Sequence, residues 1–367
     1  MLIGTIIGAG IFALPAAFTR VGFWPATVLF WFLAAVVLVT HLFFAEIHLW
    51  EGARVRLAGA AKREFGPAGF WLATLTYPLQ IIGANVAYLI LGGDFLAALA
   101  KHWSMPIQLP LLLWQLLFWI GAAWSVLIGL RLVAKLESLA TWFLIGSLLL
   151  IAVLTLRSSW AIAVAQSWSS GKWELTFVPF GVFLFSLTGL SVIGEVVEIL
   201  RRRRQEVYRA ITVGSLGAAL ISWVFAVALF AAGGTRGGET ILLLPAPWGW
   251  LLPLAGFLAV ATSFIPLAED LKETCAIDFH FSERAAWGLA LCLPLILLFL
   301  TARNFLATIG VVGSVFGATN GILVALVAWH MYARRNGTRR PPAFGRALLV
   351  GIVVAVYLGG ILHWFFF

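Results

Sequence analysis

Two stretches of this chain crowd glycine into otherwise apolar sequence. The first reads Gly4-Thr5-Ile6-Ile7-Gly8-Ala9-Gly10-Ile11-Phe12-Ala13-Leu14-Pro15, and the second runs from Gly181 to Gly194 through Phe185-Ser186-Leu187-Thr188-Gly189. Glycine costs about 1 kcal/mol against alanine inside a helix, and proline removes a backbone hydrogen bond. The pattern predicts helices that unwind near Gly8 and near Gly189. Unwinding exposes backbone chemistry: amides at the start of the next helical half favour an anion, and freed carbonyls accept protons from a cation. Close helix packing competes with this reading, because small residues at i, i+4 let backbones approach. Gly4 and Gly8 have that spacing, and packing is the better account of Gly313, Gly317 and Gly321.

The surrounding chain is 367 residues long, 62% apolar and only 11% charged, with a mean hydropathy of +1.02. Soluble domains carry about 25% charged residues. Cutting at every Asp, Glu, Lys and Arg leaves eleven charge-free runs of at least 18 residues: 1–19, 21–45, 65–93, 102–130, 138–156, 175–194, 210–235, 240–268, 285–302, 304–333 and 347–367. A helix needs roughly 20 apolar residues to cross a bilayer core of about 30 Å. The expectation is an all-α polytopic membrane protein with eleven transmembrane helices, which excludes soluble enzymes, secreted modules and disordered chains.

Charge placement sets the sidedness. Connections 46–64, 131–137, 195–209, 269–284 and 334–346 hold 18 basic residues, against 6 in the alternate set. The first set is therefore expected in the cytoplasm, with the N-terminus inside and the C-terminus outside. Topology accounts for the net charge of +9, so no nucleic-acid partner is expected. Cys275, placed in a loop, and Cys292, in a span, give neither a disulfide framework nor a metal site. Met1 leads straight into the first run without a basic segment, so no signal peptide is expected.

Unwound backbone cannot face lipid and must line a cavity. Interrupted helices at matching places in two halves mark a transporter binding site near the midplane. Gly8 and Gly189 lie 181 residues apart with five spans per copy, and an odd number inverts the second copy. The predicted organisation is one transmembrane domain: repeat one at about 1–157, repeat two at about 175–335, and an added helix at 343–367.

Residues 4–15 resemble the opening of the amino acid/auxin permease family, within the amino acid–polyamine–organocation superfamily. The likeness is strongest to prokaryotic aromatic amino acid (tryptophan/tyrosine) permeases. Ala87-Tyr88-Leu89-Ile90-Leu91-Gly92-Gly93-Asp94 resembles that family's third helix, Phe185 to Glu195 its sixth, and Ala259-Val260-Ala261-Thr262-Ser263-Phe264 its eighth. Gly194 stands where relatives usually carry proline, and the seven residues before Gly8 make the inner half of the first helix short. The resemblance implies a five-plus-five inverted repeat of leucine-transporter type, and secondary active transport of an amino acid with protons. The substrate carboxylate is then expected on the amides of Gly8, Ala9 and Gly10, where a side chain on Gly10 would enter its space. The ammonium is expected on carbonyls around Phe185, Ser186, Thr188 and Gly189. Tyr88 matches the family's aromatic lid or hydroxyl donor, although an outer-interface tyrosine is the alternative. With Phe183 and Phe185 nearby, a large apolar or aromatic side chain is expected on the substrate.

Two sets of residues compete for ion coupling. Thr262-Ser263, with carbonyls of Gly4 and Ile7, matches the sodium site that the fold implies, but such hydroxyls also bond back to their own turn. Glu195 and Glu198, one turn apart, are the candidate proton-titrating pair, or else an interfacial face beside the four arginines 201–204. His41, Glu46 and His48 suit an interfacial position better than a metal or proton site. No cofactor beyond the coupling ion, no resident metal and no obligate protein partner is expected; the partners are an amino acid and the lipid bilayer. No acids and histidines converge at membrane depth, which argues against an enzyme. A non-transporting amino acid sensor would use the same pocket.

Overall fold

The computed structural model describes residues 2–52, 55–105, 109–128, 142–153, 172–200, 203–231, 248–300, 303–335 and 344–366. Of the expected connections, 131–137 and 236–239 lie outside the described residues, as do 157–171 of 157–174, 336–343 of 334–346, Met1, Arg201 and Arg202. The described secondary structure is helical throughout. The first span divides into α1 (Leu2–Ile6), a 3-10 turn (Ala9–Ala13) and α2 (Leu14–Val21). Then follow α3 (Phe23–Glu51), α4 (Leu57–His102), α5 (Leu111–Ile128) and α6 (Trp142–Val153). The sixth span divides into α7 (Phe180–Leu187), a 3-10 turn (Leu190–Val192) and α8 (Ile193–Ile199). The chain continues through α9 (Arg204–Ala231), α10 (Leu251–Ile277), α11 (Glu283–Leu300), α12 (Phe305–Val311), a π-helical turn (Val312–Gly317), α13 (Ala318–Arg335) and α14 (Phe344–Phe366).

Among the described residues, eight helical stretches are long and apolar enough to cross a membrane, and there are three shorter apolar helices, Ala9–Val21, Leu111–Ser125 and Trp142–Val153, the first of which runs past Arg20. The helices outrun those runs. α3 extends to Glu51 and α4 starts at Leu57, so most of the charged stretch 46–64 is helical. α10 likewise continues to Ile277, which puts Cys275 on a helix rather than in a loop. Charge marks where apolar surroundings end, whereas the backbone ladder continues into water. Within α4 the chain turns at Gly66, whose φ of 65° and ψ of −151° suit glycine alone.

α4 is the central pillar, with 72% of its apolar window buried, and α14 is peripheral, with 22%. The outer surface carries large apolar side chains such as Trp71, Trp124, Trp142 and Phe366, the pattern of a surface that meets lipid. Close packing accounts for two of the three glycines assigned to it. A Cβ on Gly313 would collide with the carbonyl of Gly181, and one on Gly321 would enter the ring of Tyr357. The π turn at Val312–Gly317, which contains Gly313, is a feature the glycine spacing does not predict.

Candidate functional site

The first span unwinds where glycine permits it. Ile7 N–H closes α1 on Ile3 O at 2.9 Å. Gly8 then runs extended, with φ −96° and ψ −152°, and the 3-10 turn starts at Ala9. In the sixth span, Thr188 N–H donates to Leu184 O at 3.1 Å and ends α7. Thr188 leaves the helix with ψ 132°, and Gly189 follows with φ −138° and ψ 35°. The two spans touch at these points. A Cβ on Gly10 would lie 2.6 Å from Ser186 Oγ, and one on Gly189 would lie 2.7 Å from Ile6 Cγ1.

A cavity enclosing about 580 Å³ of atom-free space, mouth included, lies against both breaks. The first span contributes Thr5, Ile6, Gly8 and Gly10; the sixth contributes Phe185, Thr188, Leu190 and Ser191. One face of α4 supplies Tyr77, Gln80, Ile81, Ala84 and Tyr88, and α10 supplies Leu267. The structure therefore gathers Gly8, Gly10, Tyr88, Phe185 and Thr188 on one cavity. Ala9, Ser186 and Gly189 stand behind that lining. Ala9 is fully buried, and Ser186 donates its hydroxyl to Val182 O at 2.7 Å.

Position 10 faces the backbone of Ser186, not open space. Position 8 faces the cavity side: a Cβ there would meet Tyr88 Oη at 3.0 Å and Ser263 Oγ at 3.1 Å. Tyr88 is buried deep in the bundle, 5% exposed, and its ring meets Phe185 edge-on at 6.5 Å. The outer-interface alternative for this tyrosine is thereby excluded.

The ion-coupling candidates separate. Thr262 Oγ1 donates within its own helix, 2.8 Å from Leu258 O and 3.2 Å from Ala259 O. Ser263 is buried beside Gly8, as is Ile7, with Gly4 half-buried on α1. Glu195 and Glu198 are exposed on α8, outside the cavity lining.

The two ends of the cavity differ in chemistry. On the Gly10 side the neighbourhood is apolar: Phe12 meets Phe95 at 5.0 Å and Phe225 at 5.9 Å, all three buried. At the α1 end, Tyr77 donates its hydroxyl to Asp270 Oδ2 at 2.7 Å. Arg56, at the start of α4, pairs with Asp270 at 3.0 Å and Asp278 at 3.3 Å and also reaches Thr274. Burial raises the Asp278 carboxyl above the usual carboxylate range, and the Arg56 guanidinium pulls against that rise. This latch joins α4 to α10 directly beneath the cavity.

Sequence reasoning missed three features. The α4 face is visible as helical steps of three and four from Tyr88 back to Tyr77. Gln80 pairs with Asn320 at 2.6 Å, and Asn320 with Thr76 at 2.7 Å, which ties the cavity wall to α13. His41, expected at the interface, is fully buried and bonds the backbone of the sixth-span break. Glu46 does lie at the helix end, paired with Arg346 at 2.6 Å.

Two broken helices around one cavity, within an apolar-skinned bundle, define a polytopic membrane permease fold. The crystal structure of MhsT in complex with L-phenylalanine matches it with a TM-score of 0.68 at 15% identity, over 98% of this chain and 96% of that one. The Eremococcus coleocola manganese transporter matches with a TM-score of 0.63 at 14% identity, over 98% and 84%. This is the leucine-transporter-type fold. The chain belongs to the tryptophan/tyrosine permease family, whose model matches residues 1–230; it is a membrane permease and not an enzyme. Among curated relatives, the tyrosine permease of Enterobacter agglomerans is 22% identical over 88% of this chain and 84% of its own length. The putrescine transporter PotE of Haemophilus influenzae is 23% identical over 59% of this chain, and that match spans 50% of the relative's length.

Proposed function

We propose that this chain is a secondary active amino acid transporter that carries neutral aromatic or large apolar amino acids by alternating access, with proton symport. The observation that carries the reading is the meeting of two backbone breaks on one cavity. An amino acid offers a carboxylate, an ammonium and a side chain, and each has a counterpart here. The amides from Gly8 to Gly10 suit the carboxylate. Carbonyls from Phe185 to Gly189 suit the ammonium. The edge-on pair Tyr88 and Phe185, with Ile81 and Leu267, suits an apolar side chain. The tyrosine permease relative supports the aromatic preference.

Proton coupling rests on the likeness to prokaryotic aromatic amino acid permeases; Thr262, which donates its hydroxyl proton to its own helix, keeps its oxygen lone pairs, so sodium coupling is the alternative. In this reading no cofactor is needed beyond the coupling ion, and no further protein partner. The basic bias of the connections puts the α1 end, with its Arg56 latch, in the cytoplasm of a multi-pass protein of the cytoplasmic membrane. The C-terminus then lies outside, and the single domain divides into repeats near 1–157 and 175–335 with an added helix at 343–367.

The test is uptake of a panel of labelled amino acids into proteoliposomes under imposed proton or sodium gradients. Uptake of tryptophan, tyrosine, phenylalanine or leucine under an inward proton gradient is expected. Uptake of a charged amino acid without competition from these four would overturn the specificity. Sodium-driven uptake indifferent to the proton gradient would overturn the coupling. Binding without counterflow would make the chain a sensor.

A further inference from the structure

Behind the sixth-span break stands a titratable side chain that the transport reading leaves unused. His41, on α3, is fully buried. The amide of Gly189 donates to its Nε2 at 3.0 Å. An N–H can only donate, so Nε2 carries the lone pair, and the ring proton sits on Nδ1, which donates to Ser215 Oγ at 2.9 Å. The imidazole is neutral and both nitrogens are engaged. Thr188 and Leu190, the chain neighbours of Gly189, line the cavity. The ring is thus bonded to the backbone segment whose neighbours line the space assigned to the substrate.

We infer that His41 is the positioning residue through which the symported proton acts on the sixth span. A proton that binds Nε2 uses the lone pair that holds Gly189. The acceptor becomes a donor, N–H faces N–H, and an imidazolium stands in apolar surroundings. Both consequences favour separation of ring and backbone. Loss of the proton restores the bond. The substrate ammonium leans on carbonyls of this same segment, so proton and amino acid bias one backbone element, which is the physical content of coupling. This inference rests on the proton-symport reading.

The groups around the ring leave this switch to His41. α9 presents Ser215, with Tyr208 and Arg209 about two turns away along it. On α3, Glu46 is paired with Arg346, and His48 lies near Gly52 O at 3.4 Å. Tyr357 of α14 is turned to Thr40 at 2.9 Å. Glu195, on α8, is exposed. α1 brings apolar Leu2 and Ile6 against Gly214 and Gly189, and the ionisable groups of α13, His330, Tyr332 and Arg334, sit in its last two turns.

The experiment follows amide hydrogen exchange by mass spectrometry in peptides spanning 180–192, from pH 8 to pH 5, after correction for intrinsic rates. It uses the full chain as wild type, His41→Gln and Ser215→Ala. A glutamine carboxamide oxygen can accept from Gly189 but does not titrate. The wild type should lose protection about tenfold toward low pH, the factor for 1.4 kcal/mol, and His41→Gln should stay flat. Ser215→Ala removes the partner of Nδ1 and should shift the midpoint; it serves where His41→Gln fails to fold. In proteoliposomes, His41→Gln should keep exchange of the amino acid that wild type takes up but lose accumulation driven by a pH gradient. Parallel wild-type and His41→Gln exchange profiles overturn the inference whatever ion drives uptake, as does a Ser215→Ala midpoint equal to wild type. A wild-type exchange switch alongside purely sodium-driven uptake contradicts the symport reading and removes His41 from coupling.

Discussion

The two breaks that face the cavity are held in different ways. At the first, Gly8 runs extended between the hydroxyls of Tyr88 and Ser263 and lines the cavity. At the second, the Gly189 amide is already taken by His41, which Ser215 backs in turn. The first break relies on glycine's freedom and presents its groups to whatever enters. The second is braced from behind by a side chain, so its course is set by a partner that can change its own chemistry. In the proposed mechanism one break recognises the substrate and the other responds to the proton.

The largest effect should come from Gly10→Val, which forces a branched side chain into the backbone of Ser186, where the two breaks meet. Overpacking costs about 1–3 kcal/mol, and more where the obstacle is backbone. Loss of a monodisperse peak in fluorescence-detected size exclusion is expected, and the same for Gly313→Val against Gly181. A well-folded Gly10→Val protein would show that the breaks do not touch. Next comes His41→Leu, which leaves the Gly189 amide without its acceptor. It should cost about 1–3 kcal/mol, read as a lower unfolding temperature in detergent. The smallest effect should follow Glu195→Gln with Glu198→Gln, since both carboxylates stand exposed outside the cavity lining. Substrate affinity should stay within twofold of wild type, an energy of about 0.4 kcal/mol. A larger loss would return this pair to the coupling pathway.

The difference between the breaks also explains what was legible in the sequence. Glycine content marks both, because unwinding is a local cost paid by local residues. Charge-free runs mark the bundle for the same reason, though not where helices end, as Cys275 on α10 shows. The brace is another matter. His41 lies 148 residues before Gly189, and Asn320 lies 240 residues after Gln80. A long-range partner leaves no spacing to read, so a lone histidine in an apolar run looked interfacial. Gly8 and Gly10 are two residues apart where the helix unwinds, and only the fold shows that a side chain at 8 would point to Tyr88 and Ser263 and one at 10 to Ser186.

In the proposed site Gly8, between Tyr88 and Ser263, borders the substrate. Gly8→Val puts its methyl groups among the ends of two side chains, so folding should survive while the pocket is filled. Gly121→Val is the control, because a Cβ there meets nothing within 4 Å. The measurement is equilibrium binding of the labelled amino acid that wild type takes up, on both purified variants after thermal unfolding has shown them folded. Binding should be lost in Gly8→Val and unchanged in Gly121→Val. Wild-type affinity in a folded Gly8→Val protein would contradict the site.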